Sequence, residues 1–205
     1  MKLSKRLETV ASLVDGDIID IGCDHGLLDI YLVLNKEINV TATDISKNAL
    51  ESAIKNAKNY NVLDKINFIL SDGLDKVEFK NETLIITGMG AHTIMNILEN
   101  KKIKGNPFIL SAHNNLSVLR KYIVSKGYSI INEIAILDKK WYIIMKCIKK
   151  KTTYTEIDYE LGPFAKNNIE YLNYLLEKEE KISTKQNKKT SRLILIENEI
   201  KTLKK

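Results

Sequence analysis

Asp20-Ile21-Gly22-Cys23-Asp24-His25-Gly26 is the stretch on which the fold of this chain turns. It follows a short apolar run, Ile18–Ile21, and precedes an apolar helical pattern, Leu27–Leu34, so it is a strand-to-helix turn. Glycines at such a turn let the backbone approach a ligand closely. In open α/β sheets, ligands bind at the carboxyl ends of strands, near the point where strand order reverses. The spacing is D-x-G-x-D-x-G, not the G-x-G-x-x-G of dinucleotide-binding folds. Alone, the loop points to a nucleotide-like ligand, and an ordinary glycine turn would read the same way.

Outward from that loop, short apolar runs alternate with amphipathic stretches. Strands are expected at Ile18–Ile21, Asn39–Thr43, Ile66–Leu70, Leu84–Thr87, Phe108–Ser111, Ser129–Leu137 and Trp141–Ile148. Helices are expected at Leu3–Val14, Leu27–Leu34, Lys47–Tyr60, Thr93–Asn100 and Leu116–Lys126, where for instance Ala49, Ala53, Ile54 and Ala57 recur at helical spacing. This alternation implies βαβ units: an α/β, Rossmann-like, seven-stranded, mainly parallel sheet. Only Asp138-Lys139-Lys140 separates the last two strands, a hairpin spacing, so the last strand should run antiparallel. The basic stretch Lys149–Thr153 marks a boundary between a domain at residues 1–150 and an appendage at 151–205. Gly162-Pro163 is a turn expected to open the next helix. Asn168–Lys181 and Ser191–Leu203 each carry one apolar stripe, separated by Lys185–Lys189, which predicts a coiled-coil-like helical hairpin packed on itself or on the sheet.

The chain has 205 residues and a net charge of +6, which favours an anionic partner such as nucleic acid, although Lys-rich proteins are often simply solvated that way. Its 2 cysteines, Cys23 and Cys147, show no metal-ligand spacing and read as reduced thiols, so no metal is expected. The charged N-terminus lacks the apolar run of a signal peptide, and no stretch approaches a bilayer span, so a cytoplasmic protein without a membrane partner is expected, as a monomer.

Three further strand ends carry matching chemistry. Asp44 closes the second strand about 20 residues after the glycine loop, where a carboxylate can accept hydrogen bonds from both hydroxyls of a ribose, or can merely cap the following helix. Ser71-Asp72-Gly73 ends the third strand, and Thr87-Gly88-Met89-Gly90-Ala91 ends the fourth with small residues that leave room. The first loop resembles the acidic-x-Gly-x-Gly-x-Gly loop of class I S-adenosylmethionine-dependent methyltransferases, with Asp24 in place of the middle glycine. That likeness makes Asp72 the acceptor for the adenine amino group. The cofactor-binding set is then Gly22, Cys23, Gly26, Asp44, Ile45, Asp72, Gly73, Gly88 and Met89.

Several pieces together resemble the bacterial tRNA (adenine-22-N1)-methyltransferase family: Leu3-Ser4-Lys5-Arg6-Leu7 with Val10-Ala11, the Asp20–Gly26 loop, Gly88-Met89-Gly90, Leu119-Arg120, Trp141-Tyr142 and Leu161-Gly162-Pro163-Phe164. They span most of the chain. The chain departs from the family in having Gly26-Leu27 after the Asp-His pair, Gly90-Ala91 where Gly-Gly is usual, Ala112-His113-Asn114 where Gln-Pro-Asn is usual, and Asp44 where Glu is common. The resemblance implies S-adenosylmethionine as cofactor, tRNA as partner, and methyl transfer to N1 of adenine 22 in the D-loop region.

Adenine N1 carries no proton and becomes cationic on methylation, so a carboxylate near it would stabilise the developing charge. Gly88-Met89-Gly90 supplies none, which leaves Asp24 as the catalytic candidate, against a role in holding the loop or the cofactor's amino group. Arg6, His25, Gly90, His113 and Asn114 are candidates for substrate contact, each with a structural alternative: an exposed ion pair for Arg6, helix capping for His25, helix entry for His113-Asn114. Trp141 and Tyr142 read first as core. Other readings kept open are a different RNA methyltransferase, a nicotinamide-dependent oxidoreductase, and a non-catalytic RNA-binding protein that retains the fold.

Overall fold

A computed structural model describes residues 1–204. In chain order it contains α1 (Lys5–Ser12), β1 (Ile18–Ile21), α2 (Leu27–Asn35), β2 (Val40–Asp44), α3 (Lys47–Asn59), β3 (Ile66–Leu70), β4 (Thr83–Met89), α4 (Ala91–Leu98), β5 (Phe108–Ala112), α5 (Leu116–Ser125), β6 (Tyr128–Asp138), β7 (Lys140–Lys149), α6 (Glu156–Leu161), α7 (Ile169–Gln186) and α8 (Ser191–Leu203). The seven strands form one sheet in the order β3-β2-β1-β4-β5-β7-β6. Every neighbouring pair through β5 is parallel, and β7 alone runs antiparallel, inserted between β5 and β6. Strand order therefore reverses between β1 and β4, which places the ligand crevice at their carboxyl ends.

The two faces of the sheet follow from the period of two in its strands. Ile18, Ile85, Ile109 and Ile144 point to the face covered by α1, α2 and α3, where Val10, Ile30, Leu32, Ala53 and Ala57 meet them. Ile19, Leu84, Ile86, Phe108 and Leu110 point to the opposite face, under Ile94, Leu119 and Ile123. Leu172, Leu175, Ile196 and Ile200, from the stripes of α7 and α8, belong to this second core. The helical hairpin is therefore packed on the sheet as well as on itself. Both cysteines are free and buried, and burial, with the Asp29 charge next, pushes the Cys23 thiol well above its ordinary range. Among the described residues, no helix is long and apolar enough to cross a membrane.

One element differs from expectation. Pro163 does not open α7, because a single 3-10 turn, Ala165–Asn167, intervenes; a short helix, α6, precedes it, started by a capping box in which Thr155 and Asp158 satisfy each other's backbone N–H. Gly162 ends α6 at φ +98°, and α7 begins only at Ile169, capped by the Asn168 side chain.

That turn is pinned by a buried ion pair. Arg120 Nε of α5 donates to Glu133 Oε1 of β6 at 2.8 Å, and the side chains are 1% and 0% exposed. Arg120 Nη1 also donates to the Tyr159 carbonyl at 2.9 Å, and the Ala165 N–H donates to Glu133 Oε2 at 3.2 Å. A Cβ on Gly162 would collide with Glu133 Oε2 and come within 2.8 Å of Arg120 Nη2, so only glycine fits. Leu119-Arg120 and Leu161-Gly162-Pro163-Phe164, distant in sequence, thus meet at one joint between sheet and C-terminal helices.

Candidate functional site

The carboxyl ends of β1, β2, β3 and β4 open on a single cleft of about 1040 Å³. The loop after β1 contributes Gly22, Cys23, Asp24 and His25; the loop after β2, Asp44 and Ile45; the loop after β3, Asp72 and Gly73. Gly88 and Met89 close the end of β4, His113 follows β5, and Arg6 reaches in from α1. These twelve residues, expected from the sequence at one site, are thereby brought together.

The first loop is held by its neighbour on β2. Gly22 and Cys23 both donate their N–H to the Thr43 carbonyl, at 2.8 and 2.9 Å. Gly22 sits at φ +82°, a backbone conformation in which a side chain is strained, and a Cβ there would also displace the end of the Met89 side chain. Asp24 also sits in the left-handed region, at φ +52°. Its N–H donates to Asp44 Oδ2 at 3.1 Å, while Asp44 Oδ1 accepts from the Ser46 N–H at 2.8 Å. Asp44 therefore ties the two loops together. Each of its oxygens keeps a further lone pair for a ligand hydroxyl.

The Asp24 side chain stands out into the cleft, 74% exposed, and its only polar partner among the described residues is His25 Nε2 at 3.7 Å. It does not bond to the loop backbone. His25 Nδ1 is within 2.8 Å of Ser52 Oγ, and its carbonyl accepts from Asn56 Nδ2 at 2.9 Å, so α3 fixes the imidazole beside Asp24.

Gly26, Gly90 and Asn114 lie outside the lining. Gly26 starts α2 at φ +66°, and an added Cβ would come within 3.0 Å of Ala53 Cβ, so it allows α2 and α3 to approach. Asn114 Oδ1 accepts the Ala91 N–H at 3.2 Å, at the start of α4, where Gly90 offers no side-chain cap. Both act on the shape of the site from behind it.

The lining also includes Asp20, which the sequence placed in the loop without a role of its own, and Tyr142, which the sequence read as core. Asp20, the leading acid of the loop, is 5% exposed, and its carboxyl accepts no hydrogen bond among the described residues. Burial pushes it up to about 7, Arg6 opposes the shift and Asp44 adds to it. Behind it Asp29, fully buried with neither carboxyl oxygen partnered, is raised well above the usual carboxylate range by burial and then by Asp20. A buried, unsatisfied carboxyl facing a cleft suits a cationic group such as an ammonium.

The sign of the resulting pH dependence follows from linkage. The folded state holds the Asp20 proton more tightly than the unfolded chain, so it loses relative stability as pH rises from about 4 towards about 7, and the loss is complete above that. Thermal unfolding of the unliganded protein should show the midpoint of Asp20→Asn gaining on that of the unsubstituted protein through this window and running parallel above it. A constant difference across pH 4–8 would remove Asp20 as the responsible group.

Comparison with known proteins agrees with this arrangement. A family model described as a methyltransferase domain matches residues 3–145. A protein of Mycoplasma genitalium described as a candidate tRNA methyltransferase is 33% identical over 172 residues, 78% of either chain. Among solved structures, that of M. capricolum TrmK with S-adenosyl-homocysteine is 31% identical, with a TM-score of 0.78 over 100% of this chain and 97% of that one. The B. subtilis M1A22 tRNA methyltransferase TrmK is 25% identical, with a TM-score of 0.79 over 99% of this chain and 97% of that one.

Proposed function

Because this chain belongs to the methyltransferase family, we propose that it transfers a methyl group from S-adenosylmethionine to N1 of adenine 22 in the D-loop region of tRNA. The observation that carries this reading is the convergence of the loops after four parallel strands on one cleft, with three acids set at β1, β2 and β3. The relatives support the assignment: the candidate tRNA methyltransferase by sequence, the two TrmK enzymes along their whole length.

The residues present fit the cofactor. Asp44 would hold the ribose hydroxyls with the lone pairs left over from its two backbone contacts. Asp20 would face the amino group, and Asp72 the adenine. When bound, S-adenosylmethionine supplies an electrophilic methyl group, so the protein's main task is to hold the acceptor nitrogen in line and at near-attack distance. Gly88, with no side chain, leaves that space open. Asp24 then faces the acceptor and stabilises the positive charge that develops on the base. His25 and His113 flank it on the same rim. Extruding the adenine from folded tRNA costs a few kcal/mol, which phosphate contacts can offset. We assign the chemistry to residues 1–150 and a share of the tRNA grip to 151–205, where Lys185 and Lys188 stand exposed at the turn between α7 and α8. The working unit in this proposal is a cytoplasmic monomer that needs no metal.

The test is to incubate the protein with labelled S-adenosylmethionine and unmodified tRNA, then map the modified nucleotide. The expected product is 1-methyladenosine at position 22. Label on protein or small molecules but not tRNA would remove the proposal, and cofactor binding without any transfer would point instead to a non-catalytic RNA-binding protein.

A further inference from the structure

Trp141 and Tyr142 are neighbours on β7, so the period of two sends them to opposite faces of the sheet. Trp141 goes to the C-terminal helices, with ring centroids 5.4 Å from Tyr171 and 6.0 Å from Tyr174. Tyr142 goes to the α1 side and lines the cleft, half-buried. Among the described residues, no other tyrosine, phenylalanine or tryptophan packs on its ring. Its neighbours are polar: two cations lie over the ring, the Arg6 guanidinium carbon 5.4 Å from the centroid and Lys140 Nζ 5.1 Å from it, and the His113 ring is tilted to it at 6.4 Å.

A planar ring at the mouth of a cleft, flanked by two cations, matches how proteins hold an unstacked nucleotide. The ring supplies a face for the base once a long cationic side chain now over it, such as the exposed Lys140, turns outward to the phosphates beside it. The platform is rigid, because Ile143, Ile144 and Met145, next along β7, are 0–2% exposed. The hairpin tip is fixed to α1, since the Arg6 N–H donates to Asp138 Oδ2 at 3.0 Å. Arg6 is thereby held over the same opening as Asp20, Asp24 and Gly88.

We propose that Tyr142 is the stacking platform for the target adenine of the tRNA, presenting the extruded base to Asp24 across the cleft mouth. This rests on the methyl-transfer assignment and deepens it, by naming the side chain that holds the acceptor.

The experiment measures methyl transfer to unmodified tRNA, and S-adenosylhomocysteine affinity, for the unsubstituted protein and for Tyr142→Leu and Tyr142→Phe. Leucine keeps apolar bulk beneath Arg6 but offers no planar face. Tyr142→Leu should lower kcat/KM for tRNA by about 5- to 150-fold, the range of one lost base–aromatic stack. Its affinity for S-adenosylhomocysteine should stay within about twofold, and Tyr142→Phe, which restores the ring, should recover most of the loss. Unchanged kcat/KM in Tyr142→Leu overturns the proposal, as does a parallel fall in cofactor affinity in Tyr142→Leu, which would make Tyr142 a prop for Arg6. If the unsubstituted protein itself transfers nothing to tRNA, the underlying assignment falls with it; transfer by that protein alongside a fully active Tyr142→Leu removes only the role of Tyr142.

Discussion

Glu133→Ala should lower the free energy of unfolding by about 3–5 kcal/mol, the usual cost of leaving one partner of a buried ion pair uncompensated. For a chain of this size that corresponds to a fall of roughly 6–20 °C in Tm. The side chain it removes is 0% exposed, and with it go the acceptor of Arg120 Nε and that of the Ala165 N–H. The Arg120 guanidinium would stay buried, with Nη1 on the Tyr159 carbonyl and Nη2 already without a partner. Replacing both members together, Arg120→Met with Glu133→Leu, should cost far less, because no charge is then stranded. Thermal and urea unfolding of the two proteins settle the matter. Equal destabilisation by both would mean that packing volume, not charge, holds the joint.

Asp24→Ala should lower kcat for tRNA methylation by about 10²-fold or more, the scale on which single groups aimed at developing charge act. Affinity for S-adenosylhomocysteine should change by less than about threefold, since the loop is held by the Asp24 backbone N–H on Asp44 and by Gly22 and Cys23 on Thr43, none of which the substitution removes. The left-handed backbone at this position argues for Asp24→Asn as the companion variant: asparagine tolerates that conformation, so a similar loss of rate there would be due to charge and not to strain. Equal losses of rate and of cofactor affinity would reassign Asp24 to cofactor binding.

Much of this is legible in the amino-acid sequence. β1, β3 and α8 have the residue limits that their patterns imply, because each is bounded by clear turn or polar residues. The hairpin spacing at Asp138–Lys140 correctly signalled an antiparallel last strand, but not that β7 would slide between β5 and β6, which depends on pairing across the sheet. α6 was missed because six residues carry too little periodicity, and its capping box ends in Asp where Glu or Gln is the usual sign. At the site, loop composition located the cleft but could not separate residues that face it from those that shape it. Gly26 looks like a ligand-facing glycine until Ala53 is seen behind it, and Asn114 like a substrate contact until its oxygen is found on the Ala91 N–H. Tyr142 could have been separated from Trp141 by parity alone, but parity does not say which face holds the cleft.

The insertion of β7 between β5 and β6 also bears on the order in which the molecule can be finished. A chain emerging from the ribosome can assemble β1 to β5 early, but the outer edge of β5 stays open until Lys140–Lys149 has been made, because β6, synthesised first, pairs with β7 and not with β5. The same late strand brings Tyr142, and its turn supplies Asp138, which anchors Arg6 from a helix made 132 residues earlier. The binding cleft is thus completed by the first and last pieces of the sheet domain meeting. A nascent or truncated chain that stops before β7 has the cofactor loop but no mouth above it, and an exposed strand edge of the kind that invites aggregation.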